Sequence, residues 1–155
     1  MLMPPTDAAP DPDLQAVAFS ASISHLFNSS VGPHHHFIYD SVETNVGNHY
    51  NQYTGTFTAP SKGVYVFAWS IETQGNSRTG SQHDGEIFTE LIRNGSILGR
   101  LHADSELAWD DDSATGIKAL VLNSGDVVYI RSGTYMEGDF YSGQHGGWTF
   151  SGWKI

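Results

Sequence analysis

Apolar and polar positions alternate in short blocks along most of this chain. Residues 16–23 (AVAFSASI) place Val17, Phe19, Ala21 and Ile23 on one side and small or polar residues on the other. A period of two predicts a half-buried strand. Residues 34–40 predict a second strand, with Phe37 and Tyr39 two apart. Residues 63–73 (GVYVFAWSIET) are apolar on both sides and predict a central strand covered on both faces. Runs 86–93 and 96–102 flank Asn94-Gly95, and Asn-Gly between two such runs predicts a hairpin with a type I′ turn. Runs 115–122, 126–132 and 148–155 follow, separated by glycine-rich breaks. No segment of ten or more residues keeps a helical period. Strands recurring every 8–12 residues predict an all-β sandwich or barrel.

Composition supports this reading. Charged residues are 15% of the chain, against about 25% in ordinary domains. Glycines number 17 and aromatics make up 12%, which suits turns and strands. The 155 residues fit one domain. Residues 1–15 hold four of the six prolines and predict a tail or linker; residues 16–155 predict the globular domain. The tail has no Gly-x-y period, so it carries no collagen stalk. The net charge of −10 argues against a nucleic-acid partner, which needs clustered Lys and Arg. No run is apolar and long enough for membrane insertion as a helix. There is no cysteine, hence no disulfide framework and no thiolate chemistry. Residues 1–13 show neither the basic nor the apolar region of a signal peptide.

From Tyr39 to Trp69 the spacing is specific: Tyr39, five residues, Asn45, four residues, Tyr50, six residues, Phe57, five residues, then Gly63-x-Tyr65-x-Phe67-x-Trp69. This resembles the signature of the globular head of complement C1q, a family similar in fold to tumour necrosis factor. Tyr39 and Trp69 replace the family's usual rings with other rings. Ala18-Phe19-Ser20-Ala21, Gly125-Asp126-Val127-Val128-Tyr129 and Thr149-Phe150-Ser151-Gly152-Trp153 resemble its opening, late and closing strands. The resemblance covers residues 16–155. It implies a ten-stranded antiparallel jelly-roll β-sandwich and a homotrimer packed through strand faces. Surplus apolar area in 63–71 and 148–155 independently favours association, although the same rings could fill a monomer core.

Five acids fall within residues 104–112: Asp104, Glu106, Asp110, Asp111 and Asp112. By themselves they fit either a solvated loop or a hard-cation site, since Ca²⁺ takes six to eight oxygens. The resemblance implies Ca²⁺ near a trimer apex. Asp104 and Asp112 match the family's acids, Ser105 stands where a further acid is expected, and Glu106 lies one residue on. His34-His35-His36 is a second cluster. On a strand His34 and His36 share a face that could hold Zn²⁺; the alternative is an exposed edge strand. A cupin metal motif fails, because Gly32 is too close and Glu43 too far.

No Gly-x-Ser-x-Gly elbow occurs, and the acidic run is too wet to separate two carboxyl pKa values. The expectation is therefore not an enzyme. Asn28-Ser-Ser30 and Asn94-Gly-Ser96 fit the glycan acceptor rule, with Asn94 better explained by its turn. Loops 74–85 and 133–147 combine rings and polar groups in the manner of a sugar site, with Arg78, His83, Tyr135, Tyr141 and His145 as ligand-binding candidates. The expected function is a secreted innate-immune pattern-recognition protein. As a trimer it would bind microbial surface carbohydrate, including lipopolysaccharide and mannose- or uronate-type glycans. The alternatives are a trimeric ligand for a cell-surface receptor, of the tumour-necrosis-factor type, and a metal-holding extracellular protein.

Overall fold

A computed structural model describes residues 15–24, 31–74, 85–106, 110–137, 139–140 and 147–155. Eleven strands appear among them: β1 (Ala18–Ser22), β2 (Ser41–Val46), β3 (Tyr50–Asn51), β4 (Thr56–Thr58), β5 (Gly63–Gln74), β6 (Gly85–Arg93), β7 (Ser96–Ser105), β8 (Asp111–Leu122), β9 (Val127–Glu137), β10 (Asp139–Phe140) and β11 (Thr149–Lys154). All pairings are antiparallel. One sheet contains β8, β5, β11, β1 and β2, with the two-residue β10 continuing the flank of β5 beyond β11. The other runs β3-β4-β9-β6-β7. Each sheet is thus five strands wide, and the all-β jelly-roll expectation holds.

The period-two pattern explains the burial. Val17, Phe19, Ala21 and Ile23 are buried, as are Tyr65, Phe67, Trp69 and Ile71 on β5. Rings dominate the space between the sheets. Phe19 stacks on Tyr50 with centroids 4.6 Å apart and meets Phe150 edge-on at 4.9 Å. Gly152 is required there, because a Cβ would lie 2.6 Å from Phe19 and 2.7 Å from Phe67. The Asn94-Gly95 turn has φ of 48° and 85°, as a type I′ hairpin demands.

Four expectations change. Residues 34–40 form no ladder; their one bridge to the second sheet is His36–Arg131. Phe37 and Tyr39 are nevertheless fully buried. In the acidic run, Asp104 lies on β7 and Asp111 and Asp112 open β8, while Glu106 and Asp110 lie just outside these strands. Tyr135 lies on β9 rather than in a loop, because β9 continues to Glu137. The outward side of β5 is not covered within one chain, since Val64 stays exposed.

Candidate functional site

Strand alternation that sends rings inward sends a second set outward. On the β8-β5-β11-β1-β2 sheet one rank reads Ala119, Val66, Trp153, Ala18, Val46 across all five strands. The flanking ranks pair Val64 with Val121 and Ala68 with Ile117. Ile117 is 69% exposed, and Val46, Val64, Val121, Trp153 and Ile155 are also exposed. Along β5 the same face then becomes polar at Ser70, opposite Thr115 and Thr149, and acidic at Glu72. There a cleft of about 290 Å³ is lined by Ser70, Glu72, Asp111, Asp112, Ser113 and Thr115 among others. A contiguous exposed apolar face of this kind marks an association surface.

The expected calcium ligands Asp104, Glu106 and Asp112 lie near the same end. Asp112 Oδ2 accepts the backbone N–H of Asp104 at 2.9 Å, so the two residues meet through one carboxylate and one amide. The set of three metal-capable side chains that converges among the described residues is Glu86, His102 and Asp104, not Asp104, Glu106 and Asp112. Ca²⁺ needs six to eight oxygens, so a Ca²⁺ ion here would need ligands beyond these three acids.

The histidine cluster loses the strand geometry on which its zinc reading rested. His34 sits in a turn at φ 56° and donates its backbone N–H to the Gly133 carbonyl. His36 stacks on Tyr129 with centroids 4.3 Å apart. Burial holds its imidazole below the usual range, against a raising hydrogen bond to the Gly55 backbone. Its Nε2 is buried without a hydrogen-bond partner.

Tyr135 is exposed on β9. Arg78, His83, Tyr141, His145 and Asn28 lie outside the described residues. Asn94 uses both ends of its amide: Nδ2 donates to Asp126 Oδ1 and Oδ1 accepts from the Val127 N–H, each at 2.8 Å. That supports its role in the turn.

Sequence reasoning missed a second concave surface. The β2-to-β4 connection forms a cleft of about 270 Å³ lined by Asn45, Asn48, Tyr50, Asn51, Gln52 and Tyr53. Asn45 is committed to the backbone of Tyr50 through both its amide nitrogen and its oxygen. The side-chain Oδ1 of Asn51 holds the turn by accepting the Tyr53 N–H at 2.9 Å. Asn48, Gln52 and the Tyr53 ring face solvent, Tyr53 being 81% exposed. The available signal was the run NVGNHYNQY, whose amides exceed what the signature spacing uses.

A family model described as C1q domain matches residues 18–155. Human complement C1q tumor necrosis factor-related protein 3 is 34% identical over 125 residues, covering 79% of this chain and 45% of that protein. The mouse protein of the same name gives the same figures. The chain therefore spans less than half the length of these curated relatives. Among solved structures, the globular domain of zebrafish complement 1qA protein superimposes with a TM-score of 0.67 at 19% identity, covering 90% of this chain and 97% of that one.

Proposed function

The chain belongs to the C1q-domain family, and from that premise we propose that it is a secreted trimeric recognition protein that binds carbohydrate on microbial surfaces. The observation that carries the sugar reading is the amide-lined cleft beside Tyr53. An exposed phenol ring offers a flat apolar face for a pyranose ring. Neighbouring amides offer both donors and acceptors for sugar hydroxyls. Each such contact is weak, and the apolar outward face of the first sheet supports the trimer that would multiply it. Three copies held together convert weak single-site binding into avidity for repeated surface glycans.

A second reading is favoured by the names of the relatives at 34% identity, which are tumor necrosis factor-related: a trimeric ligand for a cell-surface receptor. A glycan array probed with the assembled protein, with and without Ca²⁺, separates the two. Binding to lipopolysaccharide or mannose- or uronate-type glycans that Tyr53→Ala abolishes, at unchanged melting temperature, supports recognition of carbohydrate. A blank array together with saturable binding to animal cells would establish the receptor reading instead.

A further inference from the structure

We propose that Glu86, His102 and Asp104 form a site for a divalent transition metal, Zn²⁺ foremost, on the outward face of the β6–β7 hairpin. The hairpin register sets the ligands. Glu86 is the direct partner of Asp104, and Phe88 of His102. Ile87, Thr89, Ala103 and Ser105 between them are buried, so the ligand residues alternate to the solvent side. One ligand atom from each of the three lies within 4.8 Å of the other two, and His102 Nε2 is 3.1 Å from Glu86 Oε1. Two ligands at about 2.0–2.1 Å from a tetrahedral Zn²⁺ are themselves about 3.3 Å apart. Small side-chain rotations therefore close the site.

The surroundings hold the ligands in place. The His102 ring stacks on Phe88 with centroids 4.1 Å apart and planes 10° apart. The backbone of Asp104 is tied to the Asp112 carboxylate. Electrostatics supplies a second argument. Like charges directly opposite on adjacent strands are destabilising. Farther along the same three strands, Glu90 has Arg100 and Arg131 as register partners, at 3.5 and 2.9 Å. The rank at Glu86 has Asp104 as its β7 partner, with no basic residue in register. A divalent cation at His102 supplies the charge that arginine supplies at Glu90. One imidazole with two carboxylates suits Zn²⁺ and its neighbours rather than Ca²⁺. Three protein ligands leave a fourth position open to water or to an outside donor.

The test is calorimetric titration of the metal-free chain with Zn²⁺ at about pH 7.5, with Co²⁺ absorption as the geometric readout. The expected result is one Zn²⁺ per chain and a visible Co²⁺ band. His102→Gln and Glu86→Gln should each weaken binding more than about tenfold, while His34→Gln leaves it unchanged. Circular dichroism checks that each variant folds; if His102→Gln does not, Glu86→Gln decides. No binding at millimolar Zn²⁺ overturns the proposal. So does wild-type affinity in the folded variants, or loss of binding in His34→Gln.

Discussion

The indole N–H of Trp69 on β5 donates to Thr89 Oγ1 on β6 at 3.1 Å, joining the two sheets through the buried centre of the sandwich. Two glycines make room for the ring. A Cβ on Gly116 would lie 2.9 Å from the indole, and one on Gly99 would lie 3.0 Å from it. Trp69→Ala should cost about 3–5 kcal/mol, the cost of a large buried ring and its cavity. Thr89→Val keeps the shape but strands the N–H, for about 1–3 kcal/mol. Gly116→Ala overpacks the slot, at about 1–3 kcal/mol. Urea unfolding curves give all three. An unchanged midpoint for Thr89→Val would show that the inter-sheet hydrogen bond contributes nothing.

Much of this fold was legible because strand periodicity and turn chemistry are local. The spacing around Phe19 and Phe67 and the Asn94-Gly95 pair mark two strands and a hairpin by themselves. The 34–40 segment misled because Phe37 and Tyr39 alternate like a strand yet are buried by rings of other elements, chiefly Trp148 and Phe150. The Glu86–His102–Asp104 set was invisible for a different reason. Strict pairing from the two-residue turn would put Glu86 opposite Ala103. A register shift between Leu91 and Ile92 moves it opposite Asp104, and nothing in the sequence marks a bulge there except two consecutive apolar residues, Leu91 and Ile92. The Tyr53 cleft depends on how a turn folds back, which no period encodes.

Self-association should depend on the outward face of the first sheet. Ile117 is 69% exposed there, beside Ala68 and one rank from Val66 and Trp153. Light scattering of the wild-type protein should give about 51 kDa, three copies of 16.9 kDa. Ile117→Asp places a charge within the apolar face, on its border strand β8, where desolvation on association is unfavourable, and should give monomer with the fold retained by circular dichroism. A wild-type mass of one chain would refute the trimer.

The Asn94 turn should be latched by an acid-sensitive carboxylate. Asp126 accepts the Asn123 N–H and the Asn94 amide, each at 2.8 Å. The first bond, then the second, holds its pKa below the ordinary 3.8. A depressed carboxyl pKa stabilises the fold above 3.8, and that contribution is lost as pH falls through the folded value. Asp126→Asn should therefore melt lower at neutral pH and show a flatter acid limb below about pH 4. Melting curves from about pH 6 down to 3 measure this. Parallel acid limbs in the two proteins would remove Asp126 from the latch.

His36 should give the stability curve a slope near neutrality. Its ring is stacked on Tyr129, and its folded pKa lies below the ordinary 6.5, chiefly through burial and secondarily through the charge of His35. The backbone hydrogen bond to Gly55 opposes this without overcoming it. Its register partner is Arg131, which is engaged with Glu90. Above pH 6.5 both folded and unfolded chains carry the neutral ring, and the group contributes no slope. Below 6.5 the unfolded chain takes up a proton that the folded chain does not, so stability falls with pH until the folded pKa is reached, then levels off. His36→Phe keeps an aromatic ring on Tyr129 and removes the titration. Its melting temperature should change less than that of wild type between about pH 7 and pH 5, whatever its absolute value. The comparison of slopes cancels the histidines common to both proteins. Equal slopes would mean that His36 takes up its proton as readily folded as unfolded, and so is not held neutral against Tyr129.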